Sequence, residues 1–296
     1  MIHGSLVALV TPFDGSNRVD YASLKQLIDF HVDQGTSGLV IAGTTGESPT
    51  LKRSEHIELI GRSIEIAAGR IPVIAGTGSN STFQSIELSR AVYDPRLTGY
   101  MAVVPYYNKP TQEGIYQHYT AIADAIDKPL LMYNVPGRTV ADMLPETVGR
   151  LARHENIFGL KEATGDMDRL KQIQAVVSDE FALYSGDDFT LLTFIEQGGH
   201  GVVTVSGNVA PRQVASLCEL AMAGKTEEAR ALDESLQPLN KALFIESNPI
   251  PVKWALSAMG LTAPHIRLPL TPYSDRYHEE MRSAMHTAGV DLEENA

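Results

Sequence analysis

Eight short apolar runs, separated by stretches of helical periodicity, constrain what this chain can fold into more than any other feature. They lie at 6–10, 38–42, 72–75, 100–104, 130–134, 157–161, 181–185 and 201–205. Between the first two, Leu24, Leu27 and Ile28 follow helical spacing, and Ile57, Ile60 and Ile64 do so between the next two. Ser81-Thr82-Phe83-Gln84 reads as a capping-box start for the third helix, and Pro95 should end that helix near Asp94. A strand that is apolar throughout is best accommodated in a parallel sheet covered on both faces. Eight such units within the first 225 or so residues predict an α/β protein with a (β/α)8 TIM barrel rather than an open sheet. Beyond that point the alternation stops, and 225–239, 250–259 and 274–286 read as helices. The expected organisation is a catalytic barrel over 1–224 with a C-terminal helical extension over 225–296 packed on it.

Composition narrows the function classes. With 43% hydrophobic and 20% charged residues, 296 residues suffice for a soluble protein with a full core. A net charge of −12 leaves no basic stripe to meet phosphates, so no nucleic-acid partner is expected. Met1-Ile2-His3-Gly4-Ser5 has no basic leader, and no apolar run approaches membrane-spanning length. A cytoplasmic location without membrane association is therefore expected. The single cysteine, Cys218, reads as a buried helix residue and permits no internal disulfide. No GxGxxG follows a strand, Glu219 stands where a phosphate loop ending at Gly224-Lys225-Thr226 needs glycine, and GxSxG is absent. The nine histidines are scattered without HExxH, so no metal site is expected. Chemistry must come from lysine, tyrosine, threonine and backbone groups.

Barrel enzymes build their sites at strand C-terminal ends. Thr11-Pro12, GTTGE at 43–47, Gly76-Thr77-Gly78, PYYN at 105–108, NVPGR at 134–138, Lys161-Glu162 and GDD at 186–188 all fall there. Lys161 closes the apolar run Ile157-Phe158-Gly159-Leu160. An ammonium at the end of a buried strand is costly to desolvate, and burial favours the neutral, nucleophilic amine. Such an amine forms a Schiff base with a carbonyl substrate; the plain alternative is a strand-end lysine reaching for water. Asp187 and Asp188 read as helix caps rather than acid catalysts.

Taken together and in order, GTTGE at 43–47, PYYNKPTQEG at 105–114, YNVPGR at 133–138, KEATGD at 161–166 and GDD at 186–188 resemble the pyruvate-dependent class I aldolase and lyase family. That family includes the dihydrodipicolinate synthases and the N-acetylneuraminate lyases. The synthase branch is the nearer one, and the likeness runs from Gly4-Ser5 to ESNPIPVKWAL at 246–256. The resemblance implies that Lys161 condenses with pyruvate and that Tyr133 is the general acid/base. Thr44 would hydrogen-bond Tyr133, and Tyr107 would complete the proton relay from a neighbouring subunit. Thr45 would hold the pyruvate carboxylate, while Gly186 and Val203 would offer backbone contacts near the substrate. Arg138 would grip the carboxylate of L-aspartate 4-semialdehyde, where the sialic-acid branch carries small or hydroxyl-bearing residues. The implied activity is that of a lyase (carbon–nitrogen class) supplying lysine and diaminopimelate biosynthesis, needing no cofactor and assembled as a homotetramer, a dimer of dimers. Two rivals stand beside it: an aldolase for 2-keto-3-deoxy sugar acids, against which Arg138 argues, and a non-catalytic metabolite-binding barrel. Joint retention of Lys161, Tyr133, Thr44 and Tyr107 argues against the second.

In lysine-inhibited members the effector lies at the dimer interface beside positions matching Ser48, Pro49, Arg53, His56, Asn80, Gln84 and Tyr106. Those members carry glutamate in place of Gln84 and commonly histidine in place of Arg53, so weak inhibition is expected. Val104 stands for the usual threonine and Ser206-Gly207 is a variant strand-eight exit; neither removes a catalytic group.

Overall fold

The computed structural model describes residues 2–290 and residue 292. Eight parallel strands close on themselves in chain order: β1 (Gly4–Ala8), β2 (Gly38–Ile41), β3 (Val73–Gly76), β4 (Gly99–Val103), β5 (Leu130–Asn134), β6 (Ile157–Glu162), β7 (Ala182–Ser185) and β8 (Gly201–Thr204). The expected strands are all present, with ends displaced by a residue or two. Around them run α1 (Tyr21–Asp33), α2 (Arg53–Ala67), α3 (Thr82–Ala91), α4 (Gln112–Asp124), α5 (Pro136–Thr139), α6 (Pro145–Leu151), α7 (Met167–Gln174), α8 (Leu191–Glu196) and α9 (Pro211–Met222). The C-terminal helices are α10 (Thr226–Ala242), α11 (Ile250–Ala258) and α12 (His278–Thr287). Helix α10 packs on α8, α9 and α12. The expected extension runs to 296, but residue 291 and residues 293–296 lie outside the described residues. No described helix is long and apolar enough to cross a membrane.

Period-two alternation explains the apolar strands. In β1, Leu6 and Ala8 enter the barrel interior with Val40, Ile74, Met101, Leu131, Tyr184 and Val203, whereas Val7 packs outward in the larger core beneath the helices. Both faces are dry, so neither tolerates a polar alternation. Cys218 is fully buried in α9, as expected, and burial pushes its thiol pKa up.

Caps set several helix starts. Asp20 accepts from the N–H groups of Ala22 and Ser23, and Asp166 from those of Asp168 and Arg169. Ser81 caps α3 through the Gln84 N–H, but the reciprocal half of the box is not made, because Gln84 Oε1 accepts instead from the Ser79 hydroxyl. Helix α3 also stops at Ala91, three residues before Asp94, so Pro95 is not what ends it. Asp187 stands at the N-cap of the short 3-10 turn Asp188–Thr190 without a side-chain capping bond to a backbone N–H, and Asp188 is not a cap. The Asp187 carboxylate takes the Thr190 hydroxyl. The buried Asp188 carboxylate accepts from the Thr204 hydroxyl and from the N–H groups of Val205 (2.9 Å) and Ser206 (3.3 Å). Asp188 thus staples the exits of β7 and β8, and its carbonyl accepts from Asn240 of α10. Burial raises the Asp188 pKa, opposed by these hydrogen bonds. Replacing Asp188 by alanine strands two buried N–H groups and should destabilise the fold by about 3–5 kcal/mol. Urea unfolding of Asp188→Ala measures this, and a loss below about 1 kcal/mol would contradict the staple.

Candidate active site

Lys161 points into the barrel because of a register shift. Strand β6 pairs with β5 as Leu130↔Ile157 and then Leu131↔Gly159, skipping one residue, so Tyr133 comes to lie opposite Lys161. Unshifted pairing would set Tyr133 opposite Leu160, which instead packs outward under the helices. Bulges of this kind re-aim a side chain near functional sites. The Lys161 ammonium lies 4.1 Å from the centroid of the Tyr133 ring, and the residue is 6% exposed. Among the described residues no hydrogen bond or ion pair reaches that nitrogen. On its other side Lys161 pairs with Tyr184 of β7, but the Tyr184 hydroxyl donates to the Ile2 carbonyl at 2.6 Å. The two tyrosines paired with Lys161 thus differ: the Tyr184 phenol is tied down, and the Tyr133 phenol makes no hydrogen bond among the described residues. Gly186, after β7, clears the space beside the amine, since a Cβ there would stand 2.9 Å from Lys161 Cε.

The GTTGE loop leaves β2 between two non-glycine residues of left-handed backbone, Ala42 (φ 57°) and Glu47 (φ 55°). Tyr107 (φ 74°), Lys109 (φ 48°) and Val140 (φ 60°) carry similar strain at the same face of the barrel. The buried Thr45 hydroxyl accepts from Asn248 Nδ2 at 3.0 Å, and the Asn248 carbonyl accepts from Arg138 at 3.4 Å. Asn248 therefore bridges the two residues read as carboxylate holders, and its own Oδ1 is buried without a partner. Nothing near Thr45 in sequence reveals it; the only signal is the ESNPIP segment some 200 residues on. Arg138, on α5, is exposed at the mouth and lines a cavity of about 680 Å³ together with Thr44, Val135 and Tyr106. Thr44 and Tyr133 are not joined by a hydrogen bond among the described residues, unlike the expected relay. Val203 is buried on the inner wall, in register with Leu6. Tyr107 is 88% exposed and touches none of these groups through a hydrogen bond.

The expected effector residues gather in the same cavity. Ser48, Pro49, Arg53, His56, Gln84 and Tyr106 line it, so this groove is continuous with the barrel mouth. Asn80 does not line it; its amide instead donates to the Tyr106 carbonyl. Arg53 donates to the Glu87 carbonyl, and the buried His56 ring pairs with the Gly76 carbonyl, with burial lowering its pKa.

Two supporting groups escape a reading of the sequence. Tyr133 and Lys161 face inward, so their neighbours Asn134 and Glu162 face outward, where Asn134 Nδ2 donates to Glu162 Oε2 at 3.1 Å and to Asp142 Oδ1 at 2.9 Å. Arg169 grips Asp142 in turn. Burial raises the Glu162 pKa against the hydrogen bonds from Asn134 and Thr164. This clamp joins the two strands at the level of the amine and the phenol.

A buried amine beside a free phenol, a cleared space and a mouth holding hydroxyls and a guanidinium is suited to imine chemistry on a small carboxylated carbonyl compound. Residues 1–288 match the sequence pattern of the dihydrodipicolinate synthetase family. The chain belongs to that family. The 4-hydroxy-tetrahydrodipicolinate synthase of Pseudomonas syringae pv. syringae is 55% identical over 290 residues, covering 98% of this chain and 99% of that protein. The chloride-inhibited dihydrodipicolinate synthase from Acinetobacter baumannii, crystallised with pyruvate, superposes with a TM-score of 0.96 at 47% identity over 98% of this chain and 100% of that one. A third structure, described as the first monomeric dihydrodipicolinate synthase variant, gives a TM-score of 0.95 at 40% identity, covering 98% of each chain. Lys161 has the Tyr133 ring beside its ammonium but no anion or hydrogen-bond partner among the described residues, and a charge buried in that way burdens the fold. Lys161→Met should accordingly stabilise the protein by about 1–3 kcal/mol while abolishing turnover. Thermal and urea unfolding check this, and a destabilised variant would count against the unpaired burial.

Proposed function

We propose that this chain is a Schiff-base-forming lyase that condenses pyruvate with L-aspartate 4-semialdehyde to 4-hydroxy-tetrahydrodipicolinate, on the route to diaminopimelate and lysine. The observation that carries the reading is Lys161, unpaired on the inner wall between the free phenol of Tyr133 and the space left by Gly186. Lys161 Nζ adds to the keto carbon of pyruvate, and Tyr133 passes a proton to the oxygen, which leaves as water when the imine forms. Loss of a methyl proton gives the enamine. Its carbon attacks the aldehyde carbon of the second substrate, whose oxygen takes a proton. The amino group of the semialdehyde then displaces Lys161 as the ring closes, returning the enzyme.

Thr45 holds the carboxylate of pyruvate, and Thr44 relays protons to Tyr133 once substrate tightens the pocket, since catalytic hydrogen bonds in empty sites are often long. Val203 and Gly186 offer backbone groups beside the bound substrate. Arg138, exposed at the mouth, takes the carboxylate of the semialdehyde. The exposed Tyr107 serves a neighbouring copy within a dimer of dimers. That one relative is singled out as a first monomeric form fits an assembly being usual in the family.

Pyruvate with borohydride should leave a reduced adduct on Lys161, read by peptide mass spectrometry; a label on another lysine would refute the mechanism. Arg138→Ala should weaken semialdehyde binding by about 2–4 kcal/mol, seen in its KM, and leave pyruvate trapping nearly intact. Equal damage to both steps would overturn that assignment.

We further propose that lysine inhibits weakly. The cavity offers an uncharged Gln84 and adds the Arg53 guanidinium, which repels the effector's ammonium. Losing one charge-assisted contact weakens binding roughly ten- to a hundredfold. Gln84→Glu should strengthen inhibition in a titration with lysine, while submillimolar inhibition of the unmodified protein would exclude the reading.

A further inference from the structure

A second buried lysine lies behind the GTTGE loop. Lys253 of α11 is 2% exposed, and its ammonium pairs with Glu47 Oε1 while resting 4.2 Å from the centroid of the Phe13 ring. Glu47 Oε2 accepts the Arg267 N–H at 3.1 Å. The Arg267 guanidinium stacks on the same Phe13 ring at 4.1 Å and grips Glu55. Burial lowers the Lys253 pKa to about 8, against the opposing pull of Glu47.

Glu47 is the last residue of the loop that carries Thr44 and Thr45. Its own N–H donates to the Thr44 carbonyl at 3.1 Å, and its backbone is left-handed. A non-glycine residue holds that conformation only where its surroundings enforce it. Here the enforcement comes through the side chain, from the Lys253 ammonium and the Arg267 backbone N–H of the C-terminal segment. Two residues before α11, Asn248 takes hold of the Thr45 hydroxyl as well. The loop is therefore gripped twice by one short stretch of chain some 200 residues away.

We propose that Glu47 and Lys253 are positioning residues, a buried pair through which the C-terminal extension fixes Thr44 and Thr45 for pyruvate. The pair is enclosed against Phe13 and does not line the cavity at the barrel mouth, so it acts through the loop rather than on substrate. The proposal rests on the pyruvate-site reading of Thr44 and Thr45.

Removing one partner leaves a buried charge uncompensated, whereas removing both charges together is far less disruptive. Lys253→Met therefore serves as the single variant, and Glu47→Gln/Lys253→Met as the variant that keeps the fold without the pair. Folding is checked by circular dichroism and melting temperature. Initial rates give KM for each substrate, and borohydride trapping on Lys161 reports imine formation. Both variants should raise the pyruvate KM and slow trapping on the order of ten- to a hundredfold, because small misplacements of holding groups cost that much. The semialdehyde KM, set at Arg138, should stay within about twofold of the parent, a fold-change worth less than half a kcal/mol. A merely structural role would reduce the active fraction and leave both KM values where they were, which overturns the proposal. A folded double variant with wild-type pyruvate KM overturns it too. Failure of the unmodified protein to trap pyruvate on Lys161 would instead strike the underlying functional reading.

Discussion

A closed parallel barrel gives a strand residue two destinations, the inner wall or the layer beneath the helices, and a shift of one residue exchanges them. The site depends on one such exchange. The skipped residue between Ile157 and Gly159 turns Lys161 inward and sets it against Tyr133. Glycine at 159 permits the shift, since a Cβ there would stand 2.4 Å from the Ala182 carbonyl of β7. Asn134 and Glu162 lock the same two strands from the outer face. The meeting of the amine with the phenol is thus a consequence of one irregular step in one ladder.

Two buried lysines differ in geometry rather than in burial alone. Lys253 has the lowered pKa, about 8, that would mark it for imine chemistry. Its nitrogen is nevertheless spent on Glu47 and enclosed against Phe13. Lys161 has no anionic partner among the described residues and faces space kept open by Gly186. The ammonium of Lys253 is held in an ion pair beside a loop, whereas the nitrogen of Lys161 is held by no ion pair.

The barrel was legible in the sequence because strands dry on both faces produce continuous apolar runs, and eight of them recur with helical stretches between. The placement of Lys161, Thr44, Thr45 and Arg138 at or near the barrel mouth was legible because each sits in a short motif at a strand exit. Other features depend on side chains meeting across the fold. The hydrogen bond of Gln84 to Ser79, in place of a closed capping box, follows from the path of the preceding turn. The role of Asp188 as a staple required knowing that β8 ends beside β7. Asn248 at Thr45 and Lys253 at Glu47 join residues some 200 positions apart, and no local pattern encodes such meetings.

Those distant meetings also bear on why a helical segment follows a barrel that closes without it. A βα loop is anchored only where it leaves its strand and where it enters its helix. Between those points the GTTGE loop, which carries the hydroxyls of Thr44 and Thr45, has left-handed residues at both ends. Hydrogen bonds within the loop, such as that from Glu47 to Thr44, close the turn but do not orient it relative to the barrel axis. The third anchor comes from outside the barrel, through Asn248, Lys253 and Arg267, and Arg267 extends it to the start of α2 through Glu55. Ion pairs suit this task better than apolar packing, because a carboxylate held by two donors has a defined direction while a hydrophobic contact slides. The extension therefore adds a directed hold on the loop to the one that the segment after β1 supplies, where the Thr11 hydroxyl donates to the Gly46 carbonyl at 2.7 Å.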